Sequence, residues 1–265
     1  MQPGGPPAPA ANVAEKMMET PALGGKAVYG AQIGILMLEA RFPRIPGDMG
    51  NALSWPFPVH YKVVRGASPD RIVRQRGEGV LDAFITAARE LEADGVDGIT
   101  TTCGFLSLFQ AAIAEAVSVP VVASSLMQVA QVNRILAPGR RAGTLTISAS
   151  SLTPEHLECA GVPGDTPIGS TEGGRSFTRT ILGNELELDV AAARADNVEA
   201  AAALKAAHPE LGAIVLECTN MAPYADDIRR ATGLPVFSIL TLINWFQASL
   251  SPGRLIPAPH AGAMT

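Results

Sequence analysis

Two cysteines stand where a thiol can do chemistry. Cys103 follows the strand-like run Val96–Thr102 and Cys218 follows Ala213–Leu216, and a helix-prone segment comes after each. A thiol between a strand end and a helix start meets unpaired backbone N–H groups and the positive end of the helix dipole, both of which favour negative charge. Its pKa can fall there from about 8.5 into the range of roughly 3.5–7.5. The same N–H groups can hold a carboxylate. Two such thiols facing each other would serve a carbon next to a carboxylate, one removing its proton and the other returning a proton to the opposite face. The intermediate puts extra charge on the carboxylate oxygens and needs preorganised donors. The backbone N–H groups of Gly104, Phe105, Thr219 and Asn220 are placed to donate, together with the side chains of Thr219 and Asn220.

The elements that must position these thiols show an internal repeat. Shifting the chain by 218 − 103 = 115 residues lays GITTTCGFLSLFQAAIAEAVSVPVVAS on AIVLECTNMAPYADDIRRATGLPVFSI without a gap. Cys103 falls on Cys218, Phe109 on Tyr224, Ile113 on Ile228, Pro120 on Pro235 and Val121 on Val236. Each copy reads as strand, cysteine, helix, turn and the start of another strand. The stretches Gln32–Leu36 and Arg141–Leu145 begin the two halves alike, with Gly34 matched to Gly143. Strands are expected at Ala27–Leu36, Val59–Val64, Val96–Thr102, Val119–Ala123, Ala142–Ile147, Ala213–Leu216 and Leu234–Ser238, and helices at Asp70–Ala93, Pro154–Ala160 and Leu186–Ala207. Pro163–Arg179, rich in glycine and proline, reads as a loop around one short strand.

This alternation is the pattern of an α/β fold made of two pseudo-symmetric lobes, each a mainly parallel sheet flanked by helices. Ligands bind beyond the carboxyl ends of such strands, which puts the active site in the cleft between the lobes. The first lobe is expected to hold residues 26–138 and 241–265, and the second 139–240, with a boundary at the Pro138-Gly139 turn. Residues 1–25 are dominated by Pro, Gly and Ala and are expected to form a flexible tail.

Composition closes several other classes. Of 265 residues, 47% are apolar and 17% charged, enough to bury one large core or two medium ones. The net charge is 20 − 25 = −5 and no Lys/Arg cluster stands out, so a nucleic-acid partner is not expected. Three cysteines exclude a disulfide scaffold or a Cys-rich metal site, and three free thiols fit a reducing, cytoplasmic setting. The start of the chain has neither the basic residues nor the apolar core of a signal peptide. Leu234–Leu250 is uncharged but short for a membrane span, and a buried strand leading into a buried helix explains it better. No phosphate loop or dinucleotide fingerprint is present, so no cofactor and no metal are expected. The partner is a small anionic substrate, and a homo-oligomer is compatible with all of this.

TTCGF and LECTNM, on two repeated α/β halves, resemble the aspartate/glutamate racemase superfamily, which includes hydantoin racemase, maleate cis–trans isomerase and arylmalonate decarboxylase. The resemblance covers roughly residues 27 to 250. It implies that Cys103 and Cys218 are the two acid/bases, that Thr219 contacts substrate, and that Ser148 or Ser150 is a polar binding position in the second lobe. The implied activity is that of an isomerase, a cofactor-independent racemase or epimerase, with the maleate, hydantoin and arylmalonate reactions as alternatives. Three positions depart from the racemase pattern. Gly104-Phe105 stands for Asn-Thr after the first cysteine, Met37-Leu38 for Asp-Ser after the first strand, and Asn220 for His after the second Cys-Thr. The long segment Glu39–Pro58, with Arg41, Arg44, Asp48 and Asn51, is expected to cover the cleft and carry specificity.

Blander readings apply elsewhere. Free cysteine is among the most buried residue types, so either thiol alone is as well read as packing. The repeat and the flanking Thr and Asn favour catalysis. Cys159 has no such context and is read as inert, and His60, His156, His208 and His260 as isolated or satisfied histidines. Glu217 is placed either to tune Cys218 or to bond neighbouring backbone, and both readings stay open.

Overall fold

The strand β1 (Ile33–Leu38) is apolar throughout because both its faces are covered. Ile33 and Ile35 pack on one side with Ile239, Ile243 and Phe246, while Leu36 and Leu38 belong to the larger core that contains Phe84, Ala88 and Leu91. In this computed structural model, which describes residues 24–250, β1 lies at the centre of a parallel four-stranded sheet. Its neighbours are β2 (Val59–Val64) and β3 (Gly98–Thr101), and β4 (Val121–Val122) closes the order β2-β1-β3-β4. A second four-stranded parallel sheet is built from β5 (Arg141–Thr146), β6 (Ile168–Ser170), β7 (Leu211–Leu216) and β8 (Val236–Phe237) in the order β6-β5-β7-β8. The two orders are the same, and so is the direction of pairing.

The repeat in the sequence is therefore a repeat in space. Adding 115 to β4 lands on β8, and adding it to the 3-10 turn Gly104–Phe109 lands on the 3-10 turn Thr219–Tyr224. Gly34 and Gly143 have the same task. A Cβ on Gly34 would lie 3.0 Å from Leu91, and one on Gly143 would lie 3.0 Å from Leu211, so both central strands need the bare backbone for close packing.

Helices α1 (Pro69–Val73) and α2 (Leu81–Asp94) occupy the stretch expected as one long helix. The break is made by Arg76, Gly77 and Gly79, whose φ of 54°, 67° and 71° lie in the left-handed region that ends a helix. α3 (Gln110–Ala116), α4 (Val129–Ile135) and α5 (Pro154–Cys159) follow. α6 (Phe177–Leu182) was not anticipated, since six residues are too few to show a helical period. α7 (Val190–Ala207) starts later than expected because the Asp189 carboxylate accepts from Ala192 N at 2.9 Å and caps the first turn there. The expected tail falls almost wholly outside the described residues, as does His260.

After α8 (Ala225–Thr232), the uncharged segment resolves into β8 and α9 (Ile239–Leu250). Ile239, Leu242, Ile243 and Phe246 recur at the spacing of one helical face and cover the Ile33/Ile35 side of β1. No helix among the described residues is long and apolar enough to cross a membrane. The Phe246 ring fills the space above Gly98, where an added Cβ would lie 2.6 Å from Cζ. Phe246→Ala should therefore lower stability by about 3–5 kcal/mol in urea unfolding, the usual cost of emptying a buried aromatic site.

Candidate functional site

Each catalytic-type thiol sits where its strand stops and a 3-10 turn begins. Cys103 caps the turn Gly104–Phe109 and Cys218 caps Thr219–Tyr224, both in extended backbone. Thr101 fixes the first corner: its hydroxyl donates to Ala123 O at 2.7 Å and accepts from Cys103 N at 3.3 Å. The second corner is tied to the first across the two sheets. Thr219 Oγ1 donates to Thr102 O at 2.8 Å, and Ser125 Oγ donates to the carbonyls of Leu216 and, at 3.1 Å, Glu217. Thr102 in turn accepts from Leu38 N at 3.0 Å. Both thiols are buried.

They share one pocket, lined by Thr102, Cys103, Phe105, Glu217, Cys218 and Asn220, with apolar walls that include Leu38, Phe42, Val73, Ile147, Ile181 and Leu182. Of the residues singled out from the sequence, Cys103, Phe105, Cys218 and Asn220 are thus brought together. Three are not lining groups. Ser148 turns its hydroxyl to Glu172 Oε1 at 2.7 Å, inside a cluster of serine hydroxyls around that carboxylate, with Ser150 in the same cluster. Thr219 spends its hydroxyl on Thr102. Gly104 matters for what it lacks: a Cβ there would collide with the Glu217 carboxylate and its carbonyl oxygen.

Glu217 is the residue whose role the sequence left open. It is fully buried; Thr146 Oγ1 donates to its Oε2 at 2.7 Å, while Oε1 has no hydrogen-bond partner. Burial pushes its carboxyl up to about 7, against the Thr146 hydroxyl and the Ile147 N–H, which act in the opposite sense. Burial first, and then the Glu217 charge, also hold both thiols above the ordinary thiol range. The expectation of a lowered thiol pKa fails for that reason: the turn N–H groups are present, but desolvation outweighs them. Phe105 and Leu106 direct N–H groups at Cys103, and Asn220 directs one at Cys218.

The Glu39–Pro58 segment reaches the site. Asn184 Oδ1 accepts from Arg41 N and Phe42 N and so holds the Phe42 ring at the pocket. The Cys218 thiol donates to Asn220 Oδ1 at 3.6 Å, and Asn220 Nδ2 donates to Asp48 Oδ2. Asp48 Oδ1 accepts from Arg44 Nη1 at 2.9 Å and from Gly50 N at 2.7 Å. A loop aspartate 172 residues away therefore orients the carboxamide beside Cys218, and no local pattern could have shown it. Cys159 is exposed and does not line the pocket. His60 pairs with Asp94 at 2.9 Å and His208 with Glu210 at 3.3 Å, while His156 is buried with Nδ1 bonded to Thr153. Among the described residues, no group of three or more His, Cys, Asp or Glu side chains could hold a metal ion.

The chain matches no protein-family model. It is 30% identical over 227 residues to a dimethylsulfoniopropionate lyase from Durusdinium sp. clade D, covering 82% of this chain and 74% of that protein. It is 33% identical over 229 residues to dimethylsulfoniopropionate lyase 3 from Emiliania huxleyi, covering 82% of this chain and 59% of that one. Among solved structures, an arylmalonate decarboxylase superposes with TM-score 0.55 at 21% identity, over 84% of this chain and 93% of its own. A glutamate racemase from Bacillus anthracis superposes with TM-score 0.53 at 17% identity, over 84% of each chain. The fold is that of the aspartate/glutamate racemase superfamily, as the sequence resemblance implied.

The activity expected from that resemblance does not hold. Over most of the chain the named sequence relatives are dimethylsulfoniopropionate lyases, neither isomerases nor decarboxylases, which overturns the isomerase expectation, the racemase or epimerase reading and the alternatives grouped with it. The paired thiols misled because abstraction of a proton beside a carboxylate begins both an inversion and an elimination.

The buried carboxyl has a measurable signature. Glu217 keeps its proton up to about 7 in the folded protein and loses it near the ordinary carboxyl value of 4.5 when unfolded. Stability from this group is complete below 4.5 and is lost as pH rises to about 7, on the order of 3 kcal/mol in all. Urea unfolding of the wild type against Glu217→Gln should show that loss in the wild type alone, and parallel curves would refute it. Gly104→Ala should cost about 1–3 kcal/mol by forcing Glu217 aside.

Proposed function

The chain belongs to the dimethylsulfoniopropionate lyase family, and we propose that it catalyses the β-elimination of dimethylsulfoniopropionate at the two-cysteine pocket. The observation that carries this reading is the placement of two thiols and one carboxyl against a single apolar pocket, in a chain related to lyases over 82% of its length. The substrate is a propionate with a dimethylsulfonio group on C3. A thiolate takes a proton from C2, that C–H electron pair becomes the C2–C3 double bond, and the C3–S pair leaves with sulfur. The products are acrylate, dimethyl sulfide and one proton, carried by the thiol. The leaving group departs uncharged and asks for no acid on the opposite face.

One base suffices, so the two thiols are not equivalent in this reaction. Cys103 receives N–H groups from Phe105 and Leu106 and lies in the field of the Arg44 guanidinium. Cys218 receives one N–H and donates its own proton to Asn220. The better-supported anion is Cys103, to which we assign proton abstraction, with Cys218 as the protonated wall facing it.

Dimethyl sulfide in the headspace and acrylate in solution should appear in equal amounts from the wild-type protein. Cys103→Ala should lower kcat/KM by about 10²–10⁴-fold, the usual worth of a positioned base, and Cys218→Ala by clearly less. Absence of dimethyl sulfide from the wild type would refute the lyase reading. A reversed order of the two losses would move the base to Cys218.

A further inference from the structure

A proton-abstracting thiol explains Cys103, but it leaves a fully buried carboxyl with one unbonded oxygen in the wall of the same pocket. We propose that Glu217 is the counter-charge that recognises the sulfonium, making the site selective for small carboxylates bearing an onium group over their uncharged isosteres. The inference rests on the lyase reading and deepens it.

Glu217 is the one carboxylate among the residues lining the pocket. Asp48 does not line the pocket and is already paired, with Arg44 and Gly50 on one oxygen and Asn220 on the other. Glu217 is held on one side only. Thr146 fixes Oε2, and Oε1 lies against the bare Cα of Gly104 without a donor. A primary ammonium carries three N–H donors and needs several acceptors. A sulfonium carries none. It requires a negative field and apolar surroundings for its methyl groups, and the Glu217 carboxylate, which lines the pocket together with Leu38, Ile147 and Ile181, supplies both. The same feature disfavours an α-amino acid, whose ammonium would be left short of partners. Cation binding here has a second effect. The Glu217 charge raises both thiols, so a sulfonium beside it offsets that effect and eases ionisation of the base at the moment substrate arrives.

Two unreactive ligands of equal length and shape test this. Dimethylsulfonioacetate has no C3 from which to eliminate, and 3-methylbutanoate replaces its S⁺ by CH. By titration calorimetry at pH 8, the wild type should bind the cation at least about tenfold more tightly than the isostere, and Glu217→Gln should lose that preference through weaker cation binding alone. Wild-type protein also provides an arm that needs no variant. Thr146 bonds Glu217, Cys103 and Cys218 feel its charge, Arg44 and Asp48 act in turn on those thiols, and both thiols stay protonated in the free site near neutral pH. Cation affinity should therefore fall as pH drops below about 7, where Glu217 takes up its proton, while isostere affinity does not. Equal wild-type affinities, equal weakening of both ligands by Glu217→Gln, or identical pH profiles would each overturn the proposal. If dimethyl sulfide is released but the two ligands bind alike, this proposal fails and the lyase reading stands. If the ligands are discriminated but no dimethyl sulfide is released, the reverse holds.

Discussion

The site depends on a close approach between two strand ends from different sheets. Glu217, at the end of β7, can lie against the turn after β3 only because residue 104 has no side chain. The approach is secured by hydrogen bonds on both sides of it, from Thr219 to Thr102 and from Ser125 to the carbonyls of Leu216 and Glu217. Closing the sheets this tightly removes water from the carboxyl and both thiols together. Their raised pKa values are one consequence of that single piece of packing. A pocket so dry strengthens every charge placed in it.

Much of the architecture was legible in the chain. The 115-residue repeat foretold two sheets of like order, and it correctly matched Cys103 with Cys218 and Pro120 with Pro235. Parallel strands buried on both faces are continuous apolar runs, and β2 was found to the residue. The misses have local causes. The helix between Asp70 and Ala93 divides at a pair of left-handed glycines, a backbone signal that outweighs apolar periodicity. α6 is too short to have a period of its own.

The site was legible only in part, because its decisive contacts join distant segments. The pairs Asp48–Asn220 and Gly104–Glu217 cross most of the fold, and nothing near either residue announces its partner. Gly104 was noticed as a departure from the racemase pattern, yet its meaning lies in the carboxyl it admits. Ser148 and Thr219 are polar groups near strand ends, but Glu172 and Thr102 occupy their hydroxyls. The reaction itself was misjudged from the same cause. Thiol geometry reports where a proton is taken, whereas the bond that breaks next is decided by the rest of the pocket.

Counting back 115 residues from Glu217 arrives at Thr102, so the two halves agree at the cysteine and disagree immediately before it. One copy bears a neutral hydroxyl that braces β1, and the other bears a buried acid. A duplicated scaffold with equal thiols has no preferred direction, and a mirror-image pair of ligands could be handled by either side. A single acidic replacement in one copy gives the cavity a negative pole and an opposite, uncharged pole. That asymmetry takes two positions rather than one, since the acid is admitted only by Gly104, whose counterpart 115 residues on is Thr219.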